Sequence, residues 1–501
     1  MINSVCILGG GTSGLVSALM LRKAWPELKI TMIESSKIGI IGVGEGSTEH
    51  WRLFMRHVDI DIFSLVQETG ATFKIGIKFT NWNGDNKSYF HSLSEQYGSV
   101  SKVHGLPFTW LRMIGEDWDP LDTSWKKSQH GLHSEPVHDI LSQYHFDTNK
   151  LNDFLHRVCK ERKISIIDTE VEDVILDEAG YVKELIDVTG VHHAYDFYID
   201  SSGFKRIIGS RLGAKWVDCS KQLPLNSAIA FPTDYTEVIP PYTEATALSS
   251  GWVWRIPTQE RYGNGYVFSD EFINETQAYD EVSQHYKNNL GIDKSLTIGK
   301  RVKFSAGYVE NYWIKNCVMV GLSGIFVEPL EASSIGTTIQ QAKMLLPDLF
   351  FYERGEELTA ERYNNHMRII SENIVDFIQL HYFTKRDNSE FWRWCKKEIV
   401  PTEFNAKYLE YFKKGYPNIN VFNHPMILFS YLNYGQVMHG LGMFDNTSIR
   451  DKYESHMIAH SKDTDEFMKA TKLSDKNDTF YPHRQALEII KQRGNPHVYK
   501  F

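Results

Sequence analysis

The sequence predicts an α/β fold: a parallel sheet assembled from strands scattered along the chain, interleaved with a β-rich region and followed by a mainly helical C-terminal region. Three observations lead there. An apolar strand at 4–8 runs directly into Gly9-Gly10-Gly11-Thr12-Ser13-Gly14 and then a helix. Further apolar strands at 197–200 and 317–322 meet glycine turns, as buried strands of one parallel sheet do. From about residue 338 the apolar spacing changes to three and four, the period of a helix.

The N-terminal elements are the most specific. Gly9, Gly11 and Gly14 follow a strand and open a helix marked by Leu15, Ala18, Leu19 and Leu21, and a second strand at 30–33 ends in Glu34. In a Rossmann-like unit such glycines, with the backbone of Thr12 and Ser13, let the main chain approach a pyrophosphate at the helix N-terminus. The acidic residue then binds ribose hydroxyls. The position at the start of the chain and a second glycine turn, Gly42-Val43-Gly44-Glu45, favour FAD over NAD.

Residues 71–82 alternate strictly, with Phe73, Ile75, Ile77 and Phe79 on one face and Lys74, Gly76, Lys78 and Thr80 on the other. The bland reading is an edge strand with solvated lysines; the other is a pocket wall left open at Gly76. Periodicity does not choose between the lysines. Residues 83–144 read as loops with short elements, including His91, His104 and Trp110. A helix starts at Asp147-Thr148, and strands follow near 165–176 and 181–188. Short strands dominate from 206 to 300, among them Gly251-Trp252-Val253-Trp254-Arg255-Ile256-Pro257, which puts two tryptophans on one face. The C-terminal pattern is helical, holding His381-Tyr382-Phe383 and Phe391-Trp392, with breaks at Tyr434-Gly435 and Gly440-Leu441-Gly442.

The segment Glu328-Pro329-Leu330-Glu331-Ala332-Ser333-Ser334-Ile335 carries chemistry. Two carboxylates bracket a proline, which suits a position at or before a first helical turn. The N–H groups of Ser333, Ser334 and Ile335 then point to an anion site at a helix N-terminus. The competing reading is a serine cap with Glu331 strengthening the helix dipole.

A net charge of -9 gives no attraction to nucleic acid or anionic lipid. Five cysteines, none in a Cys-x-x-Cys pair, argue against a zinc site and disulfides and for a reducing compartment. No apolar run is long enough for a membrane span, so a soluble, cytoplasmic protein without metal is expected. A homo-oligomer is left open.

Together these residues resemble the flavin-dependent halogenases of the tryptophan-halogenase type, over nearly the whole chain. The match includes the first glycine fingerprint, Gly42-Val43-Gly44-Glu45, Phe73-Lys74 to Asn81-Trp82, Asp200-x-Ser202-Gly203 and Glu328-Pro329-Leu330-Glu331. It also includes His381-Tyr382-Phe383-Thr384 with Phe391-Trp392, and Trp252-x-Trp254-x-Ile256-Pro257, the hallmark separating these enzymes from flavin hydroxylases. The resemblance is to a divergent member, for which a viral source is open.

The resemblance implies the following. A separate reductase supplies reduced FAD (FADH2), which with O2 oxidises halide (chloride, bromide or iodide) to hypohalous acid. The acid travels a tunnel to Lys74, which directs it onto a small electron-rich aromatic of indole or phenol type, while Glu331 assists. Ile335 borders the cofactor, Ser333 and Ser334 offer amides to halide, and Trp252 and Trp254 keep organic substrate from the flavin. His91 and Phe429 fall at substrate walls. The cofactor regions would be about 1–50, 145–205 and 300–345, the substrate regions about 51–144 and 206–299, and 346–501 would complete the substrate site. Two kinds of departure stand out: Ala332-Ser333-Ser334 replaces Ser-Thr-Gly, which loses the serine beside the carboxylate and leaves the halide to the amides of Ser333 and Ser334, and at the substrate Leu93 replaces an aromatic and 417–430 is shortened. The substrate departures speak against free tryptophan. A flavin monooxygenase and a non-catalytic flavin-binding protein are the alternatives; the two-tryptophan segment and the lack of a second nucleotide fingerprint count against the first, and retention of Lys74 and Glu331 against the second.

Overall fold

The computed structural model describes residues 2–40, 45–92, 143–415, 417, 419–455, 462, 465 and 482–493. Val5, Cys6 and Ile7 are wholly buried, and the strand Ser4–Leu8 accordingly lies inside a six-stranded sheet. It pairs in parallel with Lys29–Glu34 on one side and Phe197–Asp200 on the other. Ser165–Asp168 and Cys317–Met319 extend the parallel array outward, and Trp313–Ile314 closes one edge antiparallel. The helix Thr12–Ala24 makes the first crossover, its apolar side buried through Leu15, Val16, Ala18 and Leu19.

A seven-stranded sheet forms the second layer, in the order Lys300–Lys303, Ser227–Asp234, Arg261–Phe268, Gly251–Pro257, Thr243–Ala247, Gly76–Thr80, Ser88–Ser92. Its pairings are antiparallel except where Thr243–Ala247 meets Gly76–Thr80. Gly265 stands opposite Trp254 and needs to be glycine, because a Cβ there would lie 2.1 Å from the indole.

The expected single strand over 71–82 is two strands in two sheets. Thr72–Lys74 pairs with Gln143–Phe146, whose other neighbour is Glu45–Gly46, whereas Gly76–Thr80 joins the large sheet. The chain changes partner at Ile75, whose N–H donates to the Pro241 carbonyl, and at Gly76, where a Cβ would lie 2.2 Å from the Phe90 ring. Lys74 and Lys78 therefore do not share a strand face, and Gly76–Thr80, paired on both sides, is not an edge.

Other elements differ from expectation for similar reasons. The 165–176 strand breaks at residues 169–170, sending Ser165–Asp168 to the parallel sheet and Val171–Leu176 to a hairpin with Val182–Asp187. The strand-rich stretch contains the helix Glu275–Leu290, which starts in an Asn274 capping box and ends at Gly291. Its Ala278, Val282 and Tyr286 recur every fourth residue and are buried. His381 caps Leu358–Leu380 rather than lying inside a helix. Tyr434-Gly435 is no break either: the Ser430 capping box starts a helix, Tyr431–Gly440, that runs through it. All five cysteines are buried and free. Among the described residues, no helix is long and apolar enough to cross a membrane.

Candidate active site

A cavity of about 1240 Å³ runs from the ends of the parallel strands to the large sheet. Gly9, Gly11, Thr12, Ser13 and Glu34 line one end; Trp252, Trp254, Glu328, Ser333, Ser334 and Ile335 line the other. The glycines serve different ends. Gly9 has φ 118°, and a Cβ there would meet the Ser201 carbonyl at 2.3 Å. Gly14 lies beneath, where a Cβ would sit 2.0 Å from the Gly9 carbonyl. A Cβ on Gly11 would meet nothing within 4 Å, so main chain there is open to the cavity. Glu34 is held by His156 Nε2 at 2.8 Å. Open backbone at a helix N-terminus, an oriented carboxylate and a long cavity fit FAD. Gly42, Val43 and Gly44 lie outside the described residues, and the Glu45 backbone pairs with Phe146.

At the far end the chain folds back sharply. Leu330–Ala332 forms a single 3₁₀ turn after Pro329, and both Glu331 (φ 66°) and Ala332 (φ 53°) are left-handed. Two successive non-glycine residues in that region are strained. The reversal leaves the Glu331 side chain buried while Ser333 and Ser334 open the helix Ser333–Phe351. N–H groups in such a first turn lack a carbonyl one turn back.

Four elements converge on this turn. His91, on Ser88–Ser92, places Nδ1 at 2.9 and 2.8 Å from the two Glu331 oxygens. His381 places Nε2 at 3.0 Å from Oε1. Burial by itself would raise the Glu331 pKa, but the two histidines outweigh it and hold it down to about 2. Lys74 is buried, and its ammonium donates to the Ser47 carbonyl at 3.1 Å. Burial lowers its pKa to about 8, against the pull of Glu331 and Glu49. Gly46 separates the lysine from the turn: a Cβ there would lie 3.2 Å from Lys74 Nζ and 3.3 Å from Ala332 Cβ. Gly46 also lines the cavity. Lys78, half-buried in the other sheet, stands across from Glu244.

Trp252 and Trp254 both line the cavity, their rings 6.2 Å apart. Trp252 Nε1 donates to Glu328 Oε1 at 3.1 Å, and Tyr382 OH lies 2.7 Å from both Glu328 oxygens. Burial pushes the Glu328 carboxyl up to about 8. Phe429 does not line this cavity; it stacks on Phe377 at 4.1 Å, and Phe377 packs against His91 and His381.

Sequence reasoning gave no role to Glu328, His381, Tyr382 or Gly46, nor to Asn433, whose Nδ2 donates to His91 Nε2 at 3.1 Å. His381-Tyr382 carried a signal, since adjacent residues at a helix end can reach two carboxylates three residues apart. Asn433 and Gly46 carried none. Chemically, the site offers a buried amine of lowered basicity, one glycine away from a cavity that fits a flavin and that Glu331 itself lines. Such an amine can polarise an electrophile, and such a carboxylate can collect a proton.

The sequence profile described as tryptophan halogenase matches residues 4–457. The tryptophan 7-halogenase KtzQ of Kutzneria sp. (strain 744) is 30% identical over 454 residues, covering 83% of this chain and 82% of that protein. The flavin-dependent halogenase Xcc4156 from Xanthomonas campestris superposes with a TM-score of 0.81 at 27% identity, covering 98% of each chain. The tryptophan halogenase structure from Shewanella frigidimarina NCIMB 400 has a TM-score of 0.86 at 24% identity, again covering 98% of each, and shares the fold.

Proposed function

The chain belongs to the tryptophan halogenase family, and from that premise we propose that it is a two-component enzyme that halogenates an electron-rich aromatic, with reduced FAD delivered by a separate reductase. The observation carrying this reading is the buried Lys74 amine beside the Glu331 turn, reached from the flavin-sized cavity across Gly46.

When bound, reduced FAD with O2 supplies the oxidising equivalent that turns halide into hypohalous acid. Gly9, Gly11, Thr12, Ser13, Glu34 and Ile335 hold the cofactor; Ser333 and Ser334 present helix-terminal N–H groups to the halide. Trp252 and Trp254 wall that space off from organic substrate, and the Glu328 carboxyl pins the Trp252 indole. In this reading the acid reaches Lys74 past Gly46, which lines the cavity and has no side chain to stand in front of the amine. A neutral Lys74 amine takes the halogen from the acid as a haloamine, the O–halogen bond breaking and the hydroxide leaving as water with a proton from the nitrogen; an ammonium orients the acid by hydrogen bond. Either way the electrophile stands next to Glu331, which takes the proton leaving the ring. His91 and Phe429 border the aromatic substrate. In this reading the cofactor regions (about 1–50, 145–205 and 300–345) interleave with the substrate regions (about 51–144 and 206–299), and 346–501 completes the substrate site.

The test is mass spectrometry of an indole and phenol panel incubated with enzyme, a flavin reductase, FAD and each halide. Halogenated product that disappears in Lys74→Ala, with flavin oxidation intact, is the expected result. Oxygenated product without halogen would overturn the reading.

A further inference from the structure

Both ring nitrogens of His381 face acceptors. Nδ1 lies 3.0 Å from the Phe377 carbonyl, and Nε2 lies 3.0 Å from Glu331 Oε1. A backbone carbonyl has no proton to give, so Nδ1 carries hydrogen. A neutral imidazole has only one N–H, so the short contact to Glu331 requires a second proton, on Nε2 or on the carboxyl.

His91 does not supply it. The Asn433 Oδ1 accepts the Ser430 N–H at 2.7 Å, as part of the capping box, which turns Nδ2 outward. That Nδ2 donates to His91 Nε2 at 3.1 Å. His91 Nε2 is therefore a bare lone pair, and its single proton sits on Nδ1, facing both Glu331 oxygens. A carboxyl receiving hydrogen bonds on both oxygens is favoured in its ionised form.

We propose that His381 rests as an imidazolium sharing one proton with ionised Glu331, and that it is a positioning residue whose charge offsets the carboxylate so that Lys74 is not locked as an ammonium. The second half rests on the halogenase reading; the first does not. Without His381 the carboxylate beside Lys74 would be uncompensated, and the amine would be kept protonated. When the ring C–H bond breaks, its electron pair returns to the aromatic system and the proton passes to Glu331 Oε2, the oxygen His381 does not hold. The pair then carries two protons and returns to one by releasing the extra proton to water.

Among the described residues, the charged and titratable groups facing this pair are few. Lys74 approaches on its strand, near Glu49, and both His91 and the half-buried Tyr89 come from Ser88–Ser92. Among the described residues, rings also pack around His381: Phe79 at 5.0 Å, Phe377 at 5.2 Å and Trp82 at 5.9 Å. Tyr382, the next residue, is turned to Glu328.

Nitrogen-15 NMR of histidine-labelled full-length protein tests the charge directly, above the ordinary histidine pKa of about 6.5. Among the histidines protonated on both ring nitrogens, which should also include His156 between the Asn152 carbonyl and Glu34, one is expected to revert to a neutral Nδ1–H form in Glu331→Gln and to be absent in His381→Asn. A neutral His381 in the wild type, or an imidazolium unchanged in Glu331→Gln, overturns the proposal. If His381→Asn fails to fold, the wild type and Glu331→Gln alone decide it. The positioning half is read from the pH profile of turnover: His381→Asn should lose roughly tenfold at neutral pH, about one unit of Lys74 pKa, and regain activity as pH rises. A loss equal at every pH overturns it. Absence of halogenated product from the wild type beside the expected NMR pattern would instead count against the halogenase reading.

Discussion

Glu328 and Glu331 stand three residues apart, both carboxyls are buried, and their pKa values move in opposite directions, to about 8 and about 2. The difference lies in partners. Glu328 meets a phenol and an indole, which do not balance a charge, whereas Glu331 meets two imidazoles. For Glu328 the folded chain binds more protons than the unfolded one between 4.5 and about 8. Its contribution to stability is full below 4.5 and is lost as pH rises through that window. Glu328→Gln, which keeps an acceptor for Trp252, should therefore melt progressively higher relative to wild type from pH 4.5 to 8, then hold a constant margin; a constant difference throughout would contradict a protonated Glu328. Lys74 has the opposite sense. Its pKa falls from 10.5 to about 8, so the unfolded chain binds more protons in that interval and stability rises with pH across it. Lys74→Met should melt higher than wild type at neutral pH, with a margin that shrinks toward pH 10.5, while halogenation is lost. Lys78→Ala, in the other sheet, should keep halogenation.

At the scale of elements, the three-stranded sheet that holds Gly46 and Lys74 meets the turn that holds Glu331 at Gly46, and the proposed route to the lysine runs between them. Gly46→Ala adds one methyl at 3.2 Å from Lys74 Nζ and 3.3 Å from Ala332 Cβ. FAD affinity should be unchanged, and turnover should drop roughly 10- to 100-fold, the range expected when reacting groups are misplaced by about an ångström. Stopped-flow oxidation of the flavin, measured beside product formation, separates a blocked passage from a damaged cofactor site. At the start of helix Ser333–Phe351, Ala332 stands where a serine would add a hydroxyl. The less polar turn should accept bromide or iodide at least as readily as chloride, because larger halides cost less to desolvate. Equimolar halide competition on one aromatic decides it, and predominantly chlorinated product would reject the idea.

For the whole molecule, the two sheets divide the work. The parallel sheet presents Gly11 and Glu34 at its strand ends, and the seven-stranded sheet presents Trp252, Trp254 and His91. The sequence holds one dinucleotide fingerprint, so one nucleotide cofactor is expected. The protein should bind FAD and fail to reduce it with NADH or NADPH unaided. Bleaching of the bound flavin by NADPH without a reductase would show a second nucleotide site.

What the sequence determined by itself was local. A strand, a glycine turn and a helix in succession give the cofactor cradle, because the turn chemistry of Gly9 to Gly14 admits few other conformations. Trp252 and Trp254 share a face because strand period forces it, and Ser333 opens a helix because Pro329 and small residues precede a helical spacing. The tertiary structure alone decided what depends on partners far along the chain. Lys74 and Lys78 were equivalent in the alternating pattern, and they separate only because the chain passes from one sheet to another at Ile75. The left-handed pair Glu331-Ala332 has no mark in the sequence, since neither residue favours that conformation and only surrounding contacts hold it. The same is true of the proton between His381 and Glu331. It is fixed by Ser430 orienting Asn433, Asn433 orienting His91, and a carbonyl claiming the far side of His381, a set of hydrogen bonds spanning 342 residues of separation. Burial excludes the water that would otherwise satisfy each of these groups, and so makes each bond dictate the next.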